Sequence, residues 1–141
     1  MANSSAFNNQ AKVDALTAIC PNASTIKAAL YLASATTGAS TLTYTATGEV
    51  SGTGYSAGGV TVTHASAAAL SGSTAIWTPT ASIVYTTVTL STAFDCVLIY
   101  DTSRTNNTIS THTFGSQTIT AGTLTLTMPT NDASNALVRI S

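Results

Sequence analysis

The stretch Thr123-Leu124-Thr125-Leu126-Thr127-Met128 sets an apolar residue at every second position, with threonine between. A period of two sends alternate side chains to opposite faces of a pleated strand. Threonine suits the wet face, because its β-branch fits the pleat while its hydroxyl stays hydrated. A sheet whose solvent side carries hydroxyls instead of ions is the expectation.

The same pattern recurs along the chain. Ile26, Ala28, Leu30 and Leu32 alternate with Lys27, Ala29 and Tyr31, which predicts a strand with one buried face. Further strands are predicted over 42–45, from Val60 to Val62, and over 74–77, 83–90, 96–100, 108–114, 118–128 and 136–140. The tract 65–73, rich in Ala and Ser, reads as a loop or a close-packed strand edge. Eight or nine short strands separated by Gly, Asn and Pro turns predict an all-β fold, an antiparallel β-sandwich or jelly-roll-like barrel. One helix precedes them. Ser4 or Ser5 offers an N-cap, Phe7, Ala11, Leu16, Ile19 and Cys20 form an apolar stripe, and Pro21 stops the helix at about Cys20. The 141 residues read as one domain, with 1–21 a helix or arm and 22–141 the sheet core.

Only nine residues are charged, against 29 threonines and 17 serines, and the net charge is −1. Few ions leave little for acid/base catalysis, metal capture or phosphate binding. Nucleic acid and anionic membrane are therefore not expected partners, and no run approaches the ~20 apolar residues of a membrane helix. A near-zero charge also weakens colloidal repulsion, which points to work inside an assembly. The opening residues lack the basic and apolar regions of a secretory signal, so free, buried thiols are expected at Cys20 and Cys96.

Individual candidates mostly have bland readings. His64 and His112 would need to meet a carboxylate such as Asp95 or Asp101 to form a catalytic or metal site. Glu49, Asp95, Asp101 and Asp132 sit near predicted turns, where Asp stabilises a turn through its own side chain. Gly52-Thr53-Gly54 lacks the third glycine and the following helix of a dinucleotide loop. The segment from Gly48 to Gly59, with Tyr55 at its centre, is either turn chemistry or a loop whose backbone approaches a partner closely. Asp101 can clamp Arg104 across a turn. The tyrosines and Trp77 are scattered over separate strands, which favours core and interface over a sugar-stacking platform. No enzymatic activity, cofactor, metal or small-molecule substrate is expected.

Several stretches in order carry a resemblance. They are Phe7-Asn8-Asn9-Gln10-Ala11-Lys12, Lys27-Ala28-Ala29-Leu30-Tyr31, Gly48-Glu49-Val50-Ser51-Gly52-Thr53-Gly54-Tyr55 with Ala57-Gly58-Gly59-Val60, Leu98-Ile99-Tyr100-Asp101, and the ending from Asp132 to Ile140. Together they resemble a family of small virion structural proteins of tailed bacteriophages, over nearly the full chain. The resemblance implies a structural role without catalytic residues. The expectation is a capsid cement or decoration protein, assembled in the host cytoplasm and bound to the capsid surface. Its partners would be the major capsid protein and copies of itself, as a homotrimer. A tail or fibre-base component is the nearest alternative, and a receptor- or carbohydrate-binding module belongs to another class. Expected contact residues are Phe7 and Asn8 in the arm, Glu49, Gly52, Gly54 and Tyr55 in the glycine-rich loop, and Arg104, Asn106 and Asn107 in the loop between two strands.

Overall fold

Thr123, Thr125 and Thr127 are exposed, while Leu124 between them is buried and Leu126 and Met128 are half-buried. The period-two alternation is thus realised in space. The computed structural model describes residues 3–21, 25–64 and 67–141. Among these the chain forms α1 (Asn9–Ile19), β1 (Ile26–Leu32), β2 (Val60–Thr61), β3 (Ala69–Ser71), β4 (Thr74–Trp77), β5 (Ile83–Asp101), a 3-10 turn (Thr102–Arg104), β6 (Asn107–Leu126) and β7 (Val138–Ile140). All strand pairings are antiparallel, in a four-stranded sheet of order β2-β1-β5-β6 and a three-stranded sheet of order β3-β4-β7. The fold is an all-β sandwich with a short N-terminal helix.

The helix starts later than the serines suggested. Asn8 is the N-cap residue, its side chain makes no capping bond, and Ser4 and Ser5 lie in the exposed segment before it. Pro21 acts as expected: α1 ends at Ile19, and the Cys20 amide donates to the Leu16 carbonyl at 2.8 Å. The helix lies against β3, β4 and β7. Lys12 fastens it there, with its stem buried and its ammonium donating to the Ser73 carbonyl at 2.9 Å in the β3–β4 turn.

Two pairs of predicted strands each prove to be one. The segments 83–90 and 96–100 are joined in the 19-residue β5, and 108–114 and 118–128 in the 20-residue β6. The breaks expected at 91–95 and 115–117 are irregularities of register, and further shifts lie near Val88 and between Ile99 and Tyr100. Thr87 and Ala121 there take left-handed backbone angles, φ 52° and 47°, as extra residues in bulges do. These shifts let the hairpin bend. His112 and Leu126 of β6 line one groove together with Ile83, Val97 and Ile99, yet in a straight strand they would stand about 46 Å apart at ~3.3 Å per residue. The piece predicted over 42–45 is not a strand and keeps only an isolated bridge, Thr43 to Asn107. The tract 65–73 does contain a strand, β3, although its first two residues lie outside the described ones.

β1 is buried on both faces, not one. Ile26, Ala28 and Leu30 join the main core with Leu16, Trp77, Tyr85, Phe94 and Ile99, whereas Ala29 and Tyr31 pack with Cys96, Leu98 and Tyr100 on the far side. The irregular segment 34–59 forms a third layer: Ala35 and Tyr44 cover that far side, while Val50 and Tyr55 further along reach the main core. Leu32 N–H donates to the Gly48 carbonyl and Val50 N–H to the Leu30 carbonyl, so residues 48–50 extend the sheet along the edge of β1. Cys20 and Cys96 are free and buried in different cores, and burial pushes the Cys20 thiol up to about 12.

Candidate interaction surface

The chemically active residue types do not converge. His64 packs edge-on to Trp77 with ring centroids 5.5 Å apart, while His112 on β6 shares a 2.9 Å hydrogen bond with Ser110. Among the described residues no group of three or more His, Cys, Asp or Glu is placed to hold a metal ion. Asp101 and Asp132 accept from amides two residues on, Ser103 and Ser134, which is the turn-stabilising role. Asp95 is the exception to the turn reading, since it lies inside β5.

Glu49 and Tyr55, expected at an external contact, are occupied within the chain. Glu49 Oε1 accepts from the Tyr55 hydroxyl and the Gly58 amide, and Oε2 accepts from the Tyr44 hydroxyl, each at 2.7 Å. The Tyr55 oxygen in turn accepts from Leu30 N–H at 2.9 Å. Tyr31 donates to the Thr45 carbonyl, Tyr85 to Ala28 and Tyr100 to Gly58, and Tyr44 stacks on Tyr100 at 4.7 Å. All five tyrosines therefore fasten the third layer to β1 and β5 or brace the sheet beneath it. Burial pushes the Tyr31 phenol up to about 12 and, with the carboxylate beside it, raises Tyr55 further still. Tyr31, Tyr85, Tyr100 and Trp77 are at most 3% exposed, so their rings offer no stacking platform to a sugar.

The glycines of this layer also have an internal partner. A Cβ on Gly52 or Gly54 would overlap the carbonyl oxygen of Thr89 or Thr87, both in β5. Thr89 N–H donates to the Thr53 carbonyl at 2.8 Å between them. The close backbone approach anticipated for this loop is made to the chain's own sheet.

Four of the remaining five expected contacts are exposed. Phe7 is 58% exposed, and Asn8 is exposed beside it. Asn106 and Asn107 are exposed at the β5–β6 connection, and Arg104 is half-buried next to them. Asp101 does not clamp Arg104 directly. Its Oδ1 takes the Ser103 amide at 2.9 Å and hydroxyl at 2.8 Å, capping the 3-10 turn. Burial alone would raise its pKa, but the hydrogen bonds from Ser103 and the Arg104 charge outweigh that and hold it below the ordinary value. A depressed carboxylate stabilises the fold above its unfolded pKa and loses that contribution as pH falls through the folded value. Asp101→Ala should thus cost about 1–2 kcal/mol at neutral pH, with the difference from wild type shrinking below pH ~4. Urea midpoints at neutral and acid pH measure it, and a pH-independent difference would refute the capping role.

The surface that composition did not single out is β6. It is the last strand of its sheet, and only Leu124 of its 20 residues is buried. Residues 41–44 cover the first turn of its outer edge: Tyr44 N–H donates to the Asn106 carbonyl and Thr108 N–H to the Leu42 carbonyl. Beyond Thr108 no described strand pairs with that edge. Two grooves border it, and a third lies on the face of the β5–β6 hairpin. One of about 420 Å³ runs between residues 37–41 and 108–113. Another, about 530 Å³, is lined by Ile19, exposed Leu42, Arg104 and Ile109. The third, about 330 Å³, is apolar and lies beneath Phe114, Leu126 and Met128. Between Arg104 and Asp132 there is no charged side chain, and burial shifts His112 toward its neutral form. That gap was the available signal in the sequence. Its meaning depends on knowing that β6 is an edge.

No protein-family model matches this chain, and neither a curated protein nor a solved structure does so.

Proposed function

We propose that this chain is a non-enzymatic structural protein of a tailed-phage virion, acting as capsid cement that binds major capsid subunits and further copies of itself. The observation that carries this reading is β6: a long, uncharged strand edge, unpaired beyond Thr108, with two grooves beside it and an apolar one on its face. Edge strands of free proteins are usually blunted with Lys, Pro or inward charges, and here none is present before Pro129. The family resemblance of the sequence supports the same reading. Repeated over a shell, weak contacts of this kind become strong through effective concentration. The exposed arm at Phe7 and Asn8 and the loop at Arg104, Asn106 and Asn107 are further contact points.

Imaging an intact particle at side-chain resolution tests the assignment. Density for this chain over the capsid lattice is the expected result, and copies confined to the tail would overturn it. A second expectation concerns salt. Contacts made by hydroxyls, backbone and apolar groups should survive ~1 M salt, where the screening length falls to ~3 Å. Release from particles on raising ionic strength, followed by sedimentation, would show that ion pairs hold the protein instead.

A further inference from the structure

We infer that β6 is a self-association edge, and that two copies of this chain pair β6 to β6 across a two-fold axis. This stands independently of the virion reading, because it concerns the purified chain.

The first ground is the state of the edge. An unpaired row of N–H and C=O groups is a template for another strand. Thr108 N–H points away from β5, toward Leu42. Following the alternation through the register shift beside it, the next outward amides belong to Thr111 and Thr113, where the ladder with β5 runs unbroken from Ser110 to Thr113. No described strand covers these amides, and the groove of about 420 Å³ lies alongside them.

The second ground selects the occupant. A head-to-tail ring, such as the expected homotrimer, requires β6 to meet a different surface of the next copy. Among the described residues the other free strand edges are β2, β3 and β7, of two, three and three residues, and the start of β5 before Phe94, whose outer side residues 52–54 already cross at the Thr53–Thr89 bridge. None can match the length that β6 presents. Among the described residues the one uncovered edge long enough for β6 is a second β6, and antiparallel pairing across a two-fold axis makes that contact self-complementary.

The third ground is charge. Identical strands paired antiparallel bring like side chains near one another, and like charges directly opposite are destabilising. β6 has no charged side chain, so self-pairing meets no such penalty. The threonines that line its face gain cross-strand partners instead.

Sedimentation velocity of the purified full chain at micromolar concentration is the test. A species of twice 14.2 kDa is expected. Thr113→Lys places two like charges at the seam, and Thr113→Pro removes an outward N–H without removing a bond to β5. Each should raise the dimer dissociation constant at least tenfold with the far-UV circular dichroism unchanged. Hydrogen exchange on the unmodified chain needs no variant: the amides of Thr111 and Thr113 should be protected in the dimer and exchange faster on dilution. A monomeric or trimeric wild type would overturn the proposal. So would a dimer indifferent to both substitutions, or one whose Thr111 and Thr113 amides exchange freely. If pairing appears only when another protein is added, the edge serves a foreign strand and the inference is wrong.

Discussion

Gly59→Ala is expected to remove a large share of the chain's stability. Gly59 has φ +74°, and a Cβ there would overlap the Ala28 carbonyl oxygen, at 2.5 Å from its carbon and 2.7 Å from Ala29 Cα. All three are backbone atoms of β1, which is buried on both faces between β2 and β5. Relief cannot come from a rotamer change, because no side chain is in the way. Either β1 moves, disturbing both cores, or the turn held by Gly59 N–H to the Ser56 carbonyl opens. The left-handed angle adds ~1–2 kcal/mol on its own. A total of about 4 kcal/mol or more is expected, against a whole-domain stability of ~5–15 kcal/mol. Gly38→Ala is the control: nothing lies within 4 Å of a Cβ there, so its effect should stay within ~0.5 kcal/mol. Urea unfolding monitored by Trp77 fluorescence compares them. Equal midpoints for the two variants would mean that the third layer is not seated on β1.

The same glycine marks the limit of what the sequence could tell. Period-two alternation located β1, β4 and the two ends of the long hairpin, because each buries a face against a core and the pattern reports burial. It split β5 and β6 in two, since a bulge at residues 91–93 or at Gly115 has the same small, hydroxylated composition as a turn. Only pairing distinguishes them. β1 looked one-sided because Ala29 and Tyr31 are weakly apolar. Their burial depends on Ala35 and Tyr44, from a following segment without regular structure. The contact residues divide on the same physics. Phe7 and Asn106 could be read as accessible from their neighbours alone. Glu49, Tyr55 and the loop glycines look outward because a Gly-rich stretch with a carboxylate resembles a surface loop, and nothing local reveals that it lies on a sheet. The β6 edge is a property of strand order, which composition does not encode.

Glu49→Ala is expected to cost about 2–4 kcal/mol, an unusual figure for a half-buried carboxylate. Hydrogen bonds to a charged acceptor contribute ~1.5–3 kcal/mol each, but bonds to one group are not additive and partial exposure weakens them. The loss comes mainly from what remains behind. The Gly58 amide and the Tyr44 hydroxyl lose their acceptor, and the third layer loses the point where Tyr44, Tyr55 and Gly58 are tied together. Glu49→Gln is the informative comparison. Its carbonyl oxygen can keep Tyr55 and Gly58, and its amide can donate to a Tyr44 hydroxyl that turns to accept. Only the charge is lost, so a cost of ~1 kcal/mol is expected. A double-mutant cycle of Glu49→Ala with Tyr55→Phe should give a coupling of ~1–2 kcal/mol, because the removed groups share a bond. The network also sets an alkaline limit. Burial raises the phenol pKa of Tyr31, Tyr44, Tyr55, Tyr85 and Tyr100 above the unfolded value, and the Glu49 carboxylate adds to it. The unfolded chain therefore gives up these protons first, and stability should fall as pH rises above ~10. Tyrosinate absorbance should then appear in one step with loss of the fold. In the Glu49→Ala protein the phenols nearest the missing carboxylate should titrate earlier. A wild type whose tyrosines ionise gradually while the sheet stays intact would show that these hydroxyls are in water, and the fastening of the third layer would need another cause.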